Sequence, residues 1–124
     1  MKRFFTYFLL ISLLSSFRFT SINEVVNALK TGNASVVSRY FDNTIDITLS
    51  DKSNSYSKSQ GELVLKDFFS VNGVITFVVI HTGDNAGAQY VIGNLQTRKG
   101  TYRTTIYIKQ KADKQVLQEI RFEK

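Results

Sequence analysis

The stretch from Tyr56 to Gly83 reads YSKSQGELVLKDFFSVNGVITFVVIHTG and combines one amphipathic helix with one apolar strand. Ser57-Lys58-Ser59-Gln60 has the form of a capping box, in which side chains satisfy the free backbone N–H groups at a helix start. Asn72-Gly73 predicts where this helix ends. Val74 to His81 is apolar at alternate and intervening positions, which predicts a central strand covered on both faces. The helical positions expected to face the core are Gly61, Val64, Leu65, Phe68 and Phe69.

Two short helices are predicted upstream of this stretch. Ser21-Ile22-Asn23-Glu24 is another capping-box pattern, and apolar residues then recur at helical spacing as far as Leu29. Gly32 is predicted to be the left-handed C-cap of the first helix, and Asn33 is predicted to be the N-cap of the second helix. The apolar positions of that second helix are expected at Val36, Val37, Tyr40 and Phe41.

Strands make up most of the remaining pattern. Ile45 to Ser50 alternates apolar and polar residues, which predicts a strand with one wet face, and the polar segment 51–55 predicts a turn. After the central strand, three further strands are expected at 88–97, 101–111 and 115–122, separated by short turns. Long strands joined by short loops pair antiparallel. Gly93, inside one of them, predicts a bulge, a bend or a close approach of the helix.

The first sixteen residues have the three-part build of a secretory signal peptide. Met1-Lys2-Arg3 is a positive start, Phe4 to Leu14 is apolar, and Ser15 and Ser16 are small. This apolar run is shorter than the roughly twenty residues that span a bilayer. We therefore expect a signal peptide at 1–16 and a single domain at 17–124, exported to the periplasm or outside the cell. An N-terminal core helix is the alternative.

Composition limits the function classes. A chain of 124 residues with 43% hydrophobic residues is expected to form one domain with a real core. It has no cysteine, which excludes disulfides, thiolate metal sites and lipidation of a cysteine. Three of its 16 Lys and Arg residues lie in the first twenty positions, which leaves 13 against ten Asp and Glu. Because these charges are scattered, no nucleic-acid partner is expected, and no membrane anchor is expected once the leader is removed.

The order helix–helix–strand–helix–four strands resembles the nuclear transport factor 2-like superfamily, the cystatin-like α+β cone shared by ketosteroid isomerase and scytalone dehydratase. Local patterns are similar to a bacterial family known as domain of unknown function 4783, and together they cover nearly all of the chain after the leader. The resemblance implies an α+β cone of three N-terminal helices packed on a curved antiparallel sheet, with a small central cavity. It implies no activity. The patterns are Gly32-Asn33-Ala34, Tyr40-Phe41-Asp42, Tyr56-Ser57-Lys58-Ser59-Gln60, Lys66-Asp67-Phe68-Phe69, His81-Thr82-Gly83, Tyr90-Val91-Ile92-Gly93 and Gly100-Thr101-Tyr102-Arg103.

Candidate cavity residues come from the cone that the resemblance implies. His81 is the only histidine, and strand alternation puts it on the side of Phe77. A hydrogen-bonded structural imidazole is one interpretation; a general base in a ketosteroid-isomerase-like enzyme, with His81 or a nearby carboxylate as acid/base, is the other. No catalytic residue, metal or cofactor is assigned. The cavity candidates for a small apolar ligand are Tyr40, Phe68, Phe77, His81 and Tyr102.

A sheet face offers a different kind of site. Arg103, Tyr107 and Lys109 alternate along one strand, and Arg121 is expected beside them. Tyr and Arg are enriched in interface hot spots, so this face predicts a protein partner or a homodimer, whereas a solvated sheet face is the alternative. The favoured function is a secreted, non-catalytic binding or interaction domain. A deep cavity holding His81 and a carboxylate would favour the enzyme; an interior filled by Phe68, Phe69 and Phe77 would argue against both the enzyme and the small ligand.

Overall fold

The structure is a computed structural model that describes residues 20–124. The predicted signal peptide at 1–16 therefore lies outside the described residues. None of the helices in the described part is long and apolar enough to cross a membrane. The elements in chain order are α1 (Thr20–Thr31), α2 (Ala34–Ser38), β1 (Phe41–Leu49), β2 (Lys52–Ser57), α3 (Lys58–Asn72), β3 (Val74–Asn85), β4 (Ala88–Thr97), β5 (Gly100–Lys111) and β6 (Lys114–Glu123).

The six strands form one sheet in the order β2-β1-β6-β5-β4-β3. β3 to β6 pair as the antiparallel meander that the sequence predicts. β1 lies parallel to β6, a pairing that connects the first strand to the last. The helices cover one face, where Leu29, Val37 and Leu65 join strand residues in a single core. The α+β prediction of helices packed on a curved sheet is confirmed, and the parallel β1–β6 pair is the one departure from the antiparallel pairing that was predicted.

The predicted helix ends match specific backbone groups. Asn33 caps α2 by accepting a hydrogen bond from the N–H of Val36 at 3.2 Å. Ser57 caps α3 by accepting from the N–H of Gln60 at 3.3 Å. Gly73 ends α3 with φ +72°, the left-handed conformation that glycine adopts without steric cost. α1 already includes Thr20, so Ser21 lies inside the helix and is not its cap.

Two predicted boundaries were wrong. The second helix ends at Ser38, and Phe41 begins β1, where it contributes its ring to the core. The predicted turn at 51–55 is mostly β2, which pairs with β1 across a two-residue turn. β2 reads KSNSYS and is exposed at five of its six positions, so it carries no apolar alternation from which a strand would be predicted.

The prediction that Val74 to His81 is a central strand was also wrong. β3 is an edge strand, and Ile75 and Ile80 are 60% and 59% exposed. An unbroken apolar run is typical of a strand covered on both faces. Here only Phe77 of this run is fully buried, because the helices cover one face and β4 pairs with one edge.

A register shift in β3 changes the orientation of its histidine. Val79 pairs with Gly93 and His81 with Ile92, so Ile80 is an extra residue between them. Phe77 points to the helices, whereas His81 points to the opposite face of the sheet. Strand alternation predicted the same side for both residues, which was wrong because one inserted residue reverses the pattern.

Candidate functional site

Aromatic side chains fill the interior between α3 and the sheet. The Phe68 ring lies 4.6 Å from the ring of Phe122 and 5.0 Å from that of Tyr102, centroid to centroid. The Tyr102 hydroxyl donates to Asn72 Oδ1 at 2.9 Å, and Asn72 Nδ2 donates to the Phe68 carbonyl at 2.8 Å. The buried polar groups are therefore paired with each other, and this region is a packed core rather than an open pocket.

The five cavity candidates are not brought together. Phe68 and Tyr102 are in contact inside the core, and Phe77 is buried farther along the sheet beside Gly93. His81 lies on the outside and Tyr40 at one end of the molecule. Gly93 is required by the Phe77 ring, because an added Cβ would stand 2.5 Å from its Cζ atom. A bulge, a bend or a close approach of the helix was predicted at Gly93. The group that approaches it is the Phe77 ring of β3 rather than the helix, and the bulge at Ile80 of β3 follows directly after the Val79–Gly93 pair.

His81 is paired with a tyrosine rather than with a carboxylate. Its Nε2 atom lies 3.2 Å from the Tyr90 hydroxyl, and the two rings are 5.7 Å apart. Both groups are on the outer face, defined here as the sheet face opposite the helices. The arrangement that a histidine general base needs, an imidazole and a carboxylate converging on an enclosed cavity, is not formed by the described residues. These residues also contain no group of three or more His, Asp or Glu able to hold a metal ion.

An open groove of about 1150 Å³ lies at the end of the molecule where α2 meets β1 and the β5–β6 turn. Tyr40 lines it and donates a hydrogen bond to Glu24. Burial, followed by the hydrogen bond to Glu24 and its negative charge, raises the pKa of Tyr40 to about 12. The charged residues along the groove are Arg39, Asp42, Lys58, Lys111, Asp113 and Lys114.

Asp42 organises one wall of this groove. Its carboxylate forms an ion pair with Lys111, N to O 3.2 Å, and accepts from Gln118 Nε2 at 3.2 Å. The backbone N–H of Asn43 is the main cause that lowers the Asp42 pKa, followed by the hydrogen bond from Gln118. The sequence carried no signal for a link between Asp42 and a lysine 69 positions away.

The outer face carries a continuous patch of aromatic and apolar groups. Cross-strand register places Tyr90 beside Tyr107, and Ile92 between His81 and Thr105. Tyr107 is 39% exposed and Val78, on the same face, 49%. We call these residues the outer patch: Val78, His81, Tyr90, Ile92 and Tyr107.

Charged side chains border the outer patch on the β6 side. The register places Tyr107 next to Glu119 and Thr105 next to Arg121. Arg121 Nε lies 3.5 Å from Glu123 Oε1. Three basic and three acidic residues share this border: Arg103, Lys109, Arg121, Asp46, Glu119 and Glu123.

The predicted interaction residues Arg103, Tyr107, Lys109 and Arg121 thus share one face, but sequence reasoning did not assign the other members of the outer patch to it. Tyr90 and Ile92 flank Val91, which is buried, so alternation along β4 contained the signal for them. Val78 and His81 were not expected on an exposed face, because β3 was predicted to be covered on both faces.

Comparison with known proteins places this fold in a family. The model of the family described as "Domain of unknown function (DUF4783)" matches residues 22–123. A family member from Bacteroides fragilis, whose crystal structure is known, is 31% identical; the alignment covers 82% of this chain and 95% of that one, with a TM-score of 0.78. A member from Bacteroides uniformis is 30% identical, with 82% and 94% covered and a TM-score of 0.79. No curated protein matches the chain.

More distant structures share the fold alone. An NTF2-like protein of unknown function from Cytophaga hutchinsonii is 9% identical, with 82% of this chain and 84% of that chain covered and a TM-score of 0.61. At this identity the likeness concerns architecture rather than activity. With the family model spanning almost all of the described residues, the chain belongs to the DUF4783 family and has an NTF2-like fold.

Proposed function

We propose that this protein is an exported, non-catalytic interaction domain that associates with a second copy of itself through the outer patch. The carrying observation is the aromatic centre of that patch, where Tyr107 is 39% exposed and pairs with the partly buried Tyr90, and Ile92 lies beside them on the same face. Tyrosines supply large contact areas at low entropic cost and are enriched in hot spots. Apolar groups gathered on one face are typical of an interaction site rather than of a solvated surface.

The charge distribution supports a second copy as the partner. The described residues carry 13 Lys and Arg against ten Asp and Glu, so two copies repel weakly overall. Around the outer patch the balance is even, with three of each sign. An isologous contact places the same surface on both sides, so a face that carries equal numbers of both signs can pair basic with acidic groups.

The packed interior supports a non-catalytic function. Phe68, Tyr102 and Phe122 fill the interior in which the resemblance implied a cavity, and His81 faces away from it. A ketosteroid-isomerase-like acid/base mechanism has no support from this arrangement. Export rests on the leader pattern at 1–16, and detection of the intact leader on mature protein from the host would contradict it.

The test is the dissociation constant for self-association of the chain purified from its host, measured by sedimentation equilibrium. Tyr107→Lys places an ammonium group in the contact, whereas Glu119 opposite it makes lysine compatible with the folded monomer. We expect the dissociation constant to rise at least about thirtyfold, which corresponds to a hot-spot loss of about 2 kcal/mol. Leu63→Lys on α3 is the matched control, because Leu63 is 66% exposed and lies on the helix side. Equal association of both variants and the unmodified chain would contradict the proposal.

The groove favours a second candidate function, the binding of a small anionic ligand. Four cations and two carboxylates line it, and Tyr40 adds a hydroxyl. A basic, open groove suits a carboxylate or phosphate better than the small apolar ligand that was predicted from the sequence. Titration with succinate or inorganic phosphate is expected to shift the amide NMR signals of Arg39 and Lys114 but not that of Lys99 at the other end of the sheet. Equal shifts at all three residues would contradict a specific site.

A further inference from the structure

The two edges of the sheet differ in length and chemistry. β2 forms one edge with six residues that include Lys52 and are almost entirely polar. β3 forms the other with twelve residues. Soluble proteins protect exposed edges with short strands, charges, proline, bulges or cover from another element. β2 is short and carries Lys52, whereas β3 has bulges at Ile75 and Ile80 but no charge or proline from Val74 to Gly83.

The sequence of β3 favours further strand pairing. From Val74 to Gly83 it contains no Asp, Glu, Lys, Arg or proline, and most of its residues are β-branched. Ile75, Val78 and Ile80 are 60%, 49% and 59% exposed. Within residues 20–124 no strand pairs with the free edge of β3, which therefore presents alternate N–H and C=O groups without a strand partner.

We propose that β3 is a second assembly site, at which it pairs antiparallel with the β3 of another copy. This contact is made by backbone groups in the plane of the sheet. It is separate from the contact proposed for the outer patch, which is made by side chains on the sheet face. With the face contact of the proposed function, this edge contact joins two face-to-face pairs into an assembly of four copies. Bulges lie at Ile75 and Ile80, so the regular segment from Thr76 to Val79 is the centre of the new ladder.

Self-pairing is favoured over other occupants by charge and symmetry. The segment from Val74 to Gly83 carries no charged side chain, so it creates no like-charge pair when it is brought against itself, whereas cross-strand like charges destabilise a sheet. Two β3 edges related by a two-fold axis run antiparallel and close the assembly. Pairing of β3 with the β2 edge of another copy would instead repeat head to tail and would bury the Lys52 end of a polar strand.

Hydrogen exchange of the chain as its host produces it tests the backbone contact directly. Outward N–H groups of β3 are expected to exchange about tenfold more slowly when the protein concentration rises through the assembly range. The β2 amides, at the opposite edge, should not change. Protection of β3 that is equal at all concentrations would indicate another occupant of the edge and overturn the proposal, as would fast exchange at all concentrations.

Variants separate the edge contact from the face contact. Ile80→Lys is expected to abolish the concentration-dependent protection of β3 and to reduce a four-copy assembly to two copies. Asn54→Lys, on exposed β2, is the matched control and should leave the assembly unchanged. Tyr107→Lys should remove the face contact while β3 protection persists. If Ile80→Lys leaves both mass and exchange unchanged, the edge proposal fails even when the face contact stands.

Discussion

Gly61 shows how one residue sets the distance between a helix and a strand. It lies in α3, where an added Cβ would collide with Ile45 Cγ2 and stand 3.2 Å from the Phe41 ring. We expect Gly61→Ala to destabilise the protein, because overpacking costs about 1–3 kcal/mol and exceeds the helix propensity gain of up to about 1 kcal/mol. Urea denaturation measures the difference. Ser70→Ala, exposed on the same helix, is the control; stabilisation by both variants would contradict the close packing.

Tyr40 gives a pH-dependent prediction. Its pKa is raised from 10.0 to about 12, so the folded state holds the phenolic proton more tightly than the unfolded chain. Its contribution to the free energy of unfolding is complete below pH 10 and is lost as the pH rises from 10 to 12. Tyr40→Phe should remove this part of the pH dependence, measured by denaturation across that range.

Glu24→Gln tests the cause of the Tyr40 shift. Removal of the carboxylate is expected to lower the Tyr40 pKa but not to restore 10.0, because burial is the largest cause. An NMR titration of the tyrosine ring carbons follows this group separately from the other tyrosines. An unchanged Tyr40 pKa in Glu24→Gln would show that the hydrogen bond is not formed.

Residue orientation was only partly predictable from sequence. The alternation from Ile45 to Ser50 correctly predicted a solvent-exposed strand face, on which Asp46 is exposed and its carboxylate accepts a hydrogen bond from the Ser55 hydroxyl. His81 was assigned to the wrong face, because Ile80 is an inserted residue and no local pattern in an apolar run indicates which residue is extra. The partners of Asp42 depend on the packing of distant elements.

At the scale of elements, the turn between β3 and β4 holds an alanine, Ala86, in a left-handed conformation that destabilises the folded state. Ala86 and Gly87 connect the strands with φ +48° and +83°, the geometry of a type I′ turn. Asparagine tolerates this conformation better than alanine, so Ala86→Asn should raise the free energy of unfolding by about 0.5–1 kcal/mol. Thermal denaturation measures it. Ala86→Val, β-branched at the same position, should have the opposite effect, and stabilisation by valine would contradict the assigned conformation.

Helices and the meander were predictable because their signals are local. Capping residues at Asn33 and Ser57, glycine at 73 and strong alternation from β4 to β6 place these elements correctly. β2 was missed because a polar edge strand has no periodic apolar face. Its existence depends on pairing with β1, which is a tertiary contact.

At the scale of the whole molecule, the same aromatic residues support two different expectations. Phe68 and Tyr102 were expected to line a cavity, because the resemblance implied one. They instead fill it, together with Phe122, which sequence reasoning did not assign to the site. Whether these side chains leave a cavity depends on the distance between the helix and the sheet, and no local sequence pattern indicates that distance.

The exposed apolar groups favour a functional site on the surface rather than in the interior. The outer patch and the free edge of β3 both involve residues that were expected to be covered on each side. A strand that reads as central but lies at an edge is a locally unfavourable arrangement, of the kind that occurs at functional surfaces. In this account the missing cover is supplied by further copies of the chain.

Native mass spectrometry of the protein purified from its own host tests this account most directly, because it reports copy number and retained ligand together. We predict an assembly of two copies, or of four where the β3 edges also pair, with no apolar small molecule bound. The Tyr107→Lys variant should lose the face contact under the same conditions, whereas Leu63→Lys should not. A single copy at every concentration, or an unmodified chain that carries a tightly bound apolar molecule, would contradict the central claim.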